Sequence, residues 1–307
     1  MKNDPSPIDP MRRKLLSAGM AAATLSAAPL LAVTEPEGKI DDTLQTLLQK
    51  HFKRMNHDEI QAALSRIERR AQREYGQKIH CRATPAPEDV RFGFALNLSR
   101  CKGSRQCVTA CIQENNTHRE PNSGNIRVLA MPRGTQDLTR GDPYYPETPP
   151  PGPETWFLPI QCQQCENPPC VRACPVEATW QEPDGIVVID YDWCIGCRYC
   201  MAACPYWARR FNWNTPQLSD QTINPHTDYL GNRPRTVGVM EKCTFCLQRT
   251  RHGQLPACLE ACPTGARIFG NLLDPKGEIR YLLENRTVFR LKEDQATEPK
   301  FWYFTDV

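Results

Sequence analysis

The chain has 307 residues and sixteen cysteines, the side chains with the most chemistry to offer, and fifteen of them fall into four short runs. Cys194, Cys197, Cys200 and Cys204, followed by Pro205, have the spacing C-x2-C-x2-C-x3-C-P. Cys162, Cys165, Cys170 and Cys174-Pro175 keep that order with a wider second gap, and Cys243, Cys246, Cys258 and Cys262-Pro263 widen it further. Three thiolates from one tight loop can cup one face of a four-iron cubane, and the fourth must come from a distant segment. Repeated three times, the spacing points to iron–sulfur clusters and one-electron chemistry.

The remaining run breaks the rule at one place. Cys101, Cys107 and Cys111 keep the frame, but Ser104 stands where the second thiolate belongs. Four outcomes are open: a four-iron cluster with the Ser104 oxygen as ligand, one completed by Cys81, a three-iron cluster, or none. Cys81 is the only cysteine outside the runs, while serine is a hard-oxygen substitute for a soft thiolate. The cofactor expectation is therefore three [4Fe–4S] clusters plus an atypical or absent fourth near Cys101, Cys107 and Cys262.

Other uses of the cysteines fit worse. Disulfide scaffolds of high cysteine density are typically chains below about 80 residues. A zinc ribbon uses two C-x2-C pairs and has no need of a third cysteine and an x3-C-P tail. The rest of the composition offers no separate active site: six His, none in a metal-ligand pair, and no Gly-rich phosphate loop. No catalytic residue is assigned and no small-molecule substrate is expected. A formal charge of +3 from 38 basic and 35 acidic residues is too balanced for a nucleic-acid footprint. Arg209, Arg210 and Lys242 lie close to the runs, where a cation raises a cluster's potential unless it merely points to solvent.

Strands repeatedly deliver the chain to a run. Arg91 to Leu98 precedes Cys101, with Phe92, Phe94, Leu96 and Leu98 alternating with smaller or polar residues; Ile186 to Ile189 precedes Cys194, and Thr236 to Met240 precedes Cys243. Inserts around 143–153 and 214–234 have no pattern that would bury a face and read as surface loops. Phe301, Trp302, Tyr303 and Phe304 form an aromatic strand for the core. Residues 40–76 read as two helices, one striped by Leu44, Leu47, Leu48, Phe52 and Met55, the other by Ile60, Ala63, Leu64 and Ile67. Asn56 and Glu59 make a capping box and Gly76 a stop. Arg66, Arg69, Arg70 and Arg73 read as a solvated face of the second helix.

Ahead of these, Arg12-Arg13 precede a mildly apolar, Ala-rich stretch running to about Val33, the pattern of a twin-arginine export signal. Such a route suits a protein that takes up its cofactors before crossing, and places it in the periplasm. The expected division is 1–33 signal peptide, 34–90 helical extension and linker, and 91–307 multi-cluster domain.

The residues Gln161, Asn167-Pro168-Pro169, Ala173-Cys174-Pro175, Gly196-Cys197-Arg198-Tyr199-Cys200, Pro205-Tyr206 and Glu241-Lys242-Cys243-Thr244-Phe245-Cys246 resemble the four-cluster ferredoxin subunits of membrane-bound respiratory oxidoreductases. Coverage runs from about residue 91 to the C-terminus. Within that family the chain is most similar to the periplasmic ferredoxin subunit of the transmembrane complex linked to dissimilatory sulfite reduction. The alternative is the iron–sulfur subunit of a periplasmic molybdopterin reductase, such as those for polysulfide or tetrathionate, and a third reading is a cluster-bearing enzyme with its own site at the first run. The resemblance implies an α+β fold of tandem bacterial-ferredoxin-like units with large loop insertions and an N-terminal helical extension. It implies an electron-transfer subunit working with an integral membrane quinone-interacting subunit. It also implies crossed ligation: Cys162, Cys165, Cys170 with Cys204; Cys194, Cys197, Cys200 with Cys174; Cys243, Cys246, Cys258 with Cys111; and Cys262 with Cys101 and Cys107.

Overall fold

The computed structural model describes residues 55–117, 124–145, 154–218 and 223–306. The expected signal segment and the first of the two N-terminal helices lie outside them. The chain divides into Met1–Glu59 and Ile60–Val307, and the described elements belong to the second unit, apart from the start of the first helix.

That helix, α1 (His57–Tyr75), begins as its sequence requires. The Asn56 side chain accepts from the Glu59 amide at 2.9 Å, and the Glu59 carboxylate accepts from the Asn56 amide at 2.8 Å. Such reciprocal caps satisfy two donors the first turn leaves open. Gly76, at φ +71°, ends it by donating to the Gln72 carbonyl. Its buried stripe is Ala63, Leu64, Ile67 and Ala71, with Arg66, Arg69 and Arg73 exposed.

Strands β1 (His80–Arg82), β2 (Phe92–Asn97), β3 (Arg127–Pro132), β4 (Thr155–Ile160), β5 (Thr179–Gln181) and β6 (Val187–Ile189) come next, then β7 (Arg209–Phe211), β8 (His226–Asp228), β9 (Met240–Lys242), β10 (Arg267–Asn271), β11 (Val288–Phe289) and β12 (Phe301–Phe304). Among the helices are α2 (Gln106–Glu114), α3 (Pro169–Arg172), α4 (Tyr199–Ala202), α5 (Leu247–Thr250), α6 (Ala257–Glu260) and α7 (Glu278–Asn285).

Each cysteine run is entered from one strand and left toward another. The entry strands β2, β4, β6 and β9 each pair antiparallel with an exit strand, respectively β10, β3, β5 and β7. Two pairs, β2·β10 and β5·β6, tie the first run to the last and the second to the third. The other two, β3·β4 and β7·β9, splice those halves together. Helices obey the same scheme: α2 packs on α6, and α3 on α4, so the cysteines at the third ligand position, Cys107 and Cys258, and Cys170 and Cys200, ride on paired helices.

Three local features differ from the sequence reading. Strand β2 is buried along its whole length instead of on alternate residues, because it is central in the four-stranded sheet β10-β2-β12-β11, with Phe94 and Leu96 in one apolar cluster and Ala95 in another. The strand before Cys243 starts only at Met240, after Gly238 at φ +82°. Part of the 214–234 insert is not a surface loop: β8 pairs in parallel with β1, and Thr227, Asp228, Asn232 and Arg233 are buried. Polar residues bury there because partners come from far away, as when Asn232 donates to the Glu114 carbonyl. The aromatic C-terminal strand does pack on the core, Phe301 stacking on Phe94 with centroids 5.0 Å apart.

One buried ion pair locks the β5–β6 turn to the last run. The Arg251 guanidinium and the Asp184 carboxylate both have no side-chain exposure and meet at 2.8 Å, while Arg251 also donates to the Thr84 carbonyl and approaches Glu182 at 3.3 Å. Removing one partner of a buried pair strands the other's charge. Asp184→Ala should therefore destabilise the holoprotein by about 3 kcal/mol, with Glu182 limiting the loss. Anaerobic guanidinium unfolding measures this, and a change below about 1 kcal/mol would show that Arg251 does not depend on Asp184.

Candidate iron–sulfur site

The four cysteine runs share one backbone device. The residue before the second ligand position is left-handed in every run: Gly103 (φ +70°), Gln164 (+46°), Gly196 (+72°) and Phe245 (+52°). This turns the loop so that successive side chains point inward. At Gly196 the turn also leaves no room for a side chain, since a Cβ would lie 2.1 Å from the Gly238 carbonyl oxygen. Arg105 and Arg198, one residue past the second position, are left-handed as well. The first run thus folds like the third, with Ser104 in the place that Cys197 holds.

The x3-C-P ending has an equally local explanation. After Cys174, Cys204 and Cys262 the third following residue is left-handed (Glu177, Trp207, Gly265), and its amide bonds back to the cysteine carbonyl at 3.3, 3.2 and 3.3 Å. Proline, with no amide hydrogen, starts the turn without stranding a donor. The turn then folds amides onto the sulfur: Ala266 N–H donates to Cys262 Sγ at 3.4 Å, and the amides of Tyr206 and Ala208 face Cys204.

Tertiary structure gathers the sulfurs into four groups, here lettered A to D. Group A is Cys101, Cys107 and Cys262, which with Ser104, Gly103 and Arg267 line one small void. Group B is Cys111, Cys243, Cys246 and Cys258, all buried and acting on one another electrostatically. Group C is Cys162, Cys165, Cys170 and Cys204. For group D, Cys194 and Cys200 share an apolar cluster with Cys174, and Cys197 lies on the same loop. Cys204 thus acts on the cysteines of the second run, Cys162, Cys165 and Cys170, while Cys174 packs against Cys194 and Cys200 of the third in a cluster that also holds Cys170.

Cys81 belongs to none of the four. It sits on β1 in the cluster of Leu64, Ile67, Ala71, Ile79 and Ile223, with its amide donating to Glu68 at 2.9 Å. Burial pushes its thiol up to about 11. The structure therefore puts Ser104, and not Cys81, beside Cys101, Cys107 and Cys262, and Ser104 itself is exposed.

The groups lie in a fixed order. Arg267 Nη2 donates to Cys107 Sγ of group A at 3.4 Å and Nη1 reaches Cys258 Sγ of group B at 3.8 Å. Cys162 of group C acts directly on Cys243 of group B. Arg209 Nη2 donates to Cys170 Sγ of group C at 3.1 Å, and the charge of the same guanidinium also acts on Cys200 of group D. The sequence is A–B–C–D. The five cysteines that are only half-buried (Cys101, Cys107, Cys262, Cys174, Cys197) all belong to A or D, whereas every cysteine of B and C is buried.

Among the described residues no three side chains converge as ligands of a single metal ion; the chemistry of the groups, thiol throughout, is that of iron–sulfur clusters. All sixteen thiols are free. Burial pushes Cys165 and Cys243 up to about 12 and Cys258 to about 11, so protons must be displaced when these sulfurs bind metal. Burial alone would also lower the pKa of Arg209, but the sulfurs of Cys170, Cys200 and Cys162 together raise it above its ordinary value. Arg209 Nε and Nη1 are buried without a hydrogen-bond partner, donors left over for an acceptor the protein does not supply. A cluster bound here would supply reversible one-electron chemistry. Of the cations singled out in the sequence, Arg209 faces sulfur, while Lys242, fully buried, donates to the backbone carbonyls of Cys243 and Val187. Arg267 gave no sequence signal beyond its place five residues after Cys262, the place Arg209 holds after Cys204.

Among the described residues no helix is long and apolar enough to cross a membrane. Residues 153–237 and 230–272 match the model of the 4Fe–4S dicluster domain. The chain is 36% identical over 251 residues to the Hdr-like menaquinol oxidoreductase iron-sulfur subunit 1 of Archaeoglobus fulgidus, covering 71% of this chain and 86% of that protein. It is 37% identical to the menaquinone reductase iron-sulfur cluster-binding subunit of Nitratidesulfovibrio vulgaris (70% and 89% covered). It is 36% identical to a tetrathionate reductase subunit of Salmonella typhimurium (69% and 72% covered). With these cysteine groups and these relatives, the chain belongs to the family of 4Fe–4S iron–sulfur electron-transfer subunits of membrane-associated oxidoreductases.

Proposed function

We propose that groups A to D form a single electron wire, carrying electrons between a quinone-interacting membrane subunit and a redox partner. The observation that carries this reading is the burial pattern: the interior groups B and C are sealed, and the half-buried sulfurs sit at the two ends. A wire needs this, because electrons must enter and leave at two faces while the middle stays shielded. Three [4Fe–4S] clusters are held at B, C and D. At A, Ser104 leaves one corner without a thiolate, so that group is atypical. The ligand sets are the four groups as gathered, each taking three ligands from one run and its fourth from another, except at A. Runs one and four make one ferredoxin-like unit and runs two and three a second, inserted into the first and spliced by β3·β4 and β7·β9.

The protein works outside the cytoplasm, delivered by the twin-arginine signal at 1–33, with 34–90 as a helical extension and 91–307 as the cluster domain. Among respiratory complexes the reading closest to its motifs is the ferredoxin subunit of the dissimilatory sulfite-reduction transmembrane complex, and the menaquinone-linked relatives support a quinone-side partner. A second reading, the iron–sulfur subunit of a periplasmic molybdopterin reductase, is supported by the likeness to a tetrathionate reductase subunit.

Crossed ligation is tested by Cys204→Ala. Losing that thiol should damage the cluster at C and leave the one at D, although Cys204 belongs to the run of D. Low-temperature EPR on the anaerobically purified variant reads this, and a loss confined to D would refute the assignment. Export is tested by replacing Arg12 and Arg13 with Lys, which should leave folded, cluster-loaded protein in the cytosol. Undiminished delivery to the periplasm would remove the signal assignment.

A further inference from the structure

Arg209 and Arg267 occupy equivalent places in the two halves of the molecule. Each is the fifth residue after the closing cysteine of a run, Cys204 and Cys262, and each opens a strand, β7 and β10. The same position holds Thr179 after Cys174 and Asn116 after Cys111, so each half has one arginine. Both arginines are buried, with 2% and 5% exposure. Among the described residues neither has a carboxylate partner. A buried cation without an anion costs several kcal/mol.

What surrounds these side chains is sulfur. Arg267 spans 3.4 Å to Cys107 and 3.8 Å to Cys258, is steadied by Gln161 Oε1 at 2.8 Å, and lies over the Phe94 ring. Arg209 donates through one nitrogen to Cys170 at 3.1 Å and to Thr179 Oγ1 at 2.9 Å, and its charge acts on Cys200, which rides on the helix packed against that of Cys170. In each case the guanidinium stands between two groups, A and B or C and D.

We infer that Arg267 and Arg209 are charge bridges, each sharing one permanent cation between two adjacent clusters and raising the reduction potential of both. The inference rests on the ligand groups proposed above. An electron added to either cluster of a pair adds a negative charge beside the cation, and low-dielectric surroundings screen that attraction poorly. Because each cation lies beside ligands of two groups, an electron passing between the clusters they would hold would stay beside it. Transfer within A–B and within C–D is thereby levelled. Arginine suits the role: its planar fork reaches two sulfurs and it does not lose its proton.

The test is a potentiometric EPR titration of the holoprotein, wild type against Arg267→Gln, Arg267→Lys and Arg209→Gln, after iron and sulfide analysis of each. Arg267→Gln should lower two midpoint potentials and leave the other two, with about a tenfold loss in the reduced-to-oxidised ratio at fixed potential, or about 59 mV per electron. Arg209→Gln should lower the complementary pair. Arg267→Lys keeps the charge with a shorter reach, so it should lose less, and it carries the comparison if Arg267→Gln fails to take up iron. A shift in one cluster only, an equal shift in all four, or unchanged potentials with all clusters present would overturn the bridge. A wild type that lacks clusters at these groups would instead defeat the ligand assignment.

Discussion

A short loop can present three thiolates to one face of a cubane but cannot reach around it, and most of this structure results from supplying the fourth. The x3-C-P ending sends each closing cysteine away from its own loop, and the left-handed third residue bends the chain back so that amides cover the sulfur. Cys204 and Cys174 can exchange places only because β5·β6 and the α3·α4 contact hold runs two and three face to face. Cys111 and Cys262 exchange through β2·β10 and α2·α6. Apart from β2, β3, β4, β10 and β12, the strands are only two or three residues long and hold the runs together by few backbone bonds. Clusters bound across runs would be the fasteners of the fold as well as its redox centres.

Dense anionic chemistry inside a protein has an electrostatic counterpart, visible here as an interior unusually rich in cations. Arg209, Arg233, Arg235, Lys242, Arg267 and Lys300 are all buried. Some are paired conventionally: Arg233 with Asp192 at 3.1 Å, Lys300 with Glu166 at 2.8 Å. Arg235 is held by the carbonyls of Asn115, Arg233 and Gly231, next to Asn115, whose amide approaches Cys111 and Cys246 at 3.6 Å. Arg209 and Arg267 alone among these six donate straight to sulfur. Iron–sulfur potentials respond to such neighbours as much as to the ligands.

How much of this could be read from the sequence depended on how local the cause was. The capping box at Asn56 and Glu59, the strands ahead of Cys101 and Cys194 and the Ser104 gap arise from residues within a few positions of one another. Ser104 was legible because the frame around it, Cys101 and Cys107, stayed intact, and its left-handed neighbours Gly103 and Arg105 keep the loop in the same shape. Burial of β2 on both faces was hidden because β12 and β10 come from the far end of the chain. The role of Arg267 was hidden for the same reason, since Cys107 and Gln161 are more than a hundred residues away. The 214–234 insert looked like a loop because polar composition signals exposure unless remote carbonyls and carboxylates satisfy it, as they do for Asn232 and Arg233. Cys81 is a candidate for group A only as the one cysteine outside the runs, and packing places it under α1.

The central claim is that four sulfur groups, in the order A–B–C–D, carry interacting redox centres. The measurement that tests it most directly is reductive titration of the anaerobically purified chain with iron and sulfide counting and low-temperature EPR on the same samples. The account predicts four irons and four sulfides for each of B, C and D beyond whatever group A holds, reversible one-electron uptake at each, and spin–spin broadening as neighbouring centres become reduced together. Zinc in place of iron, or centres that titrate reversibly but show no magnetic interaction at full reduction, would contradict it.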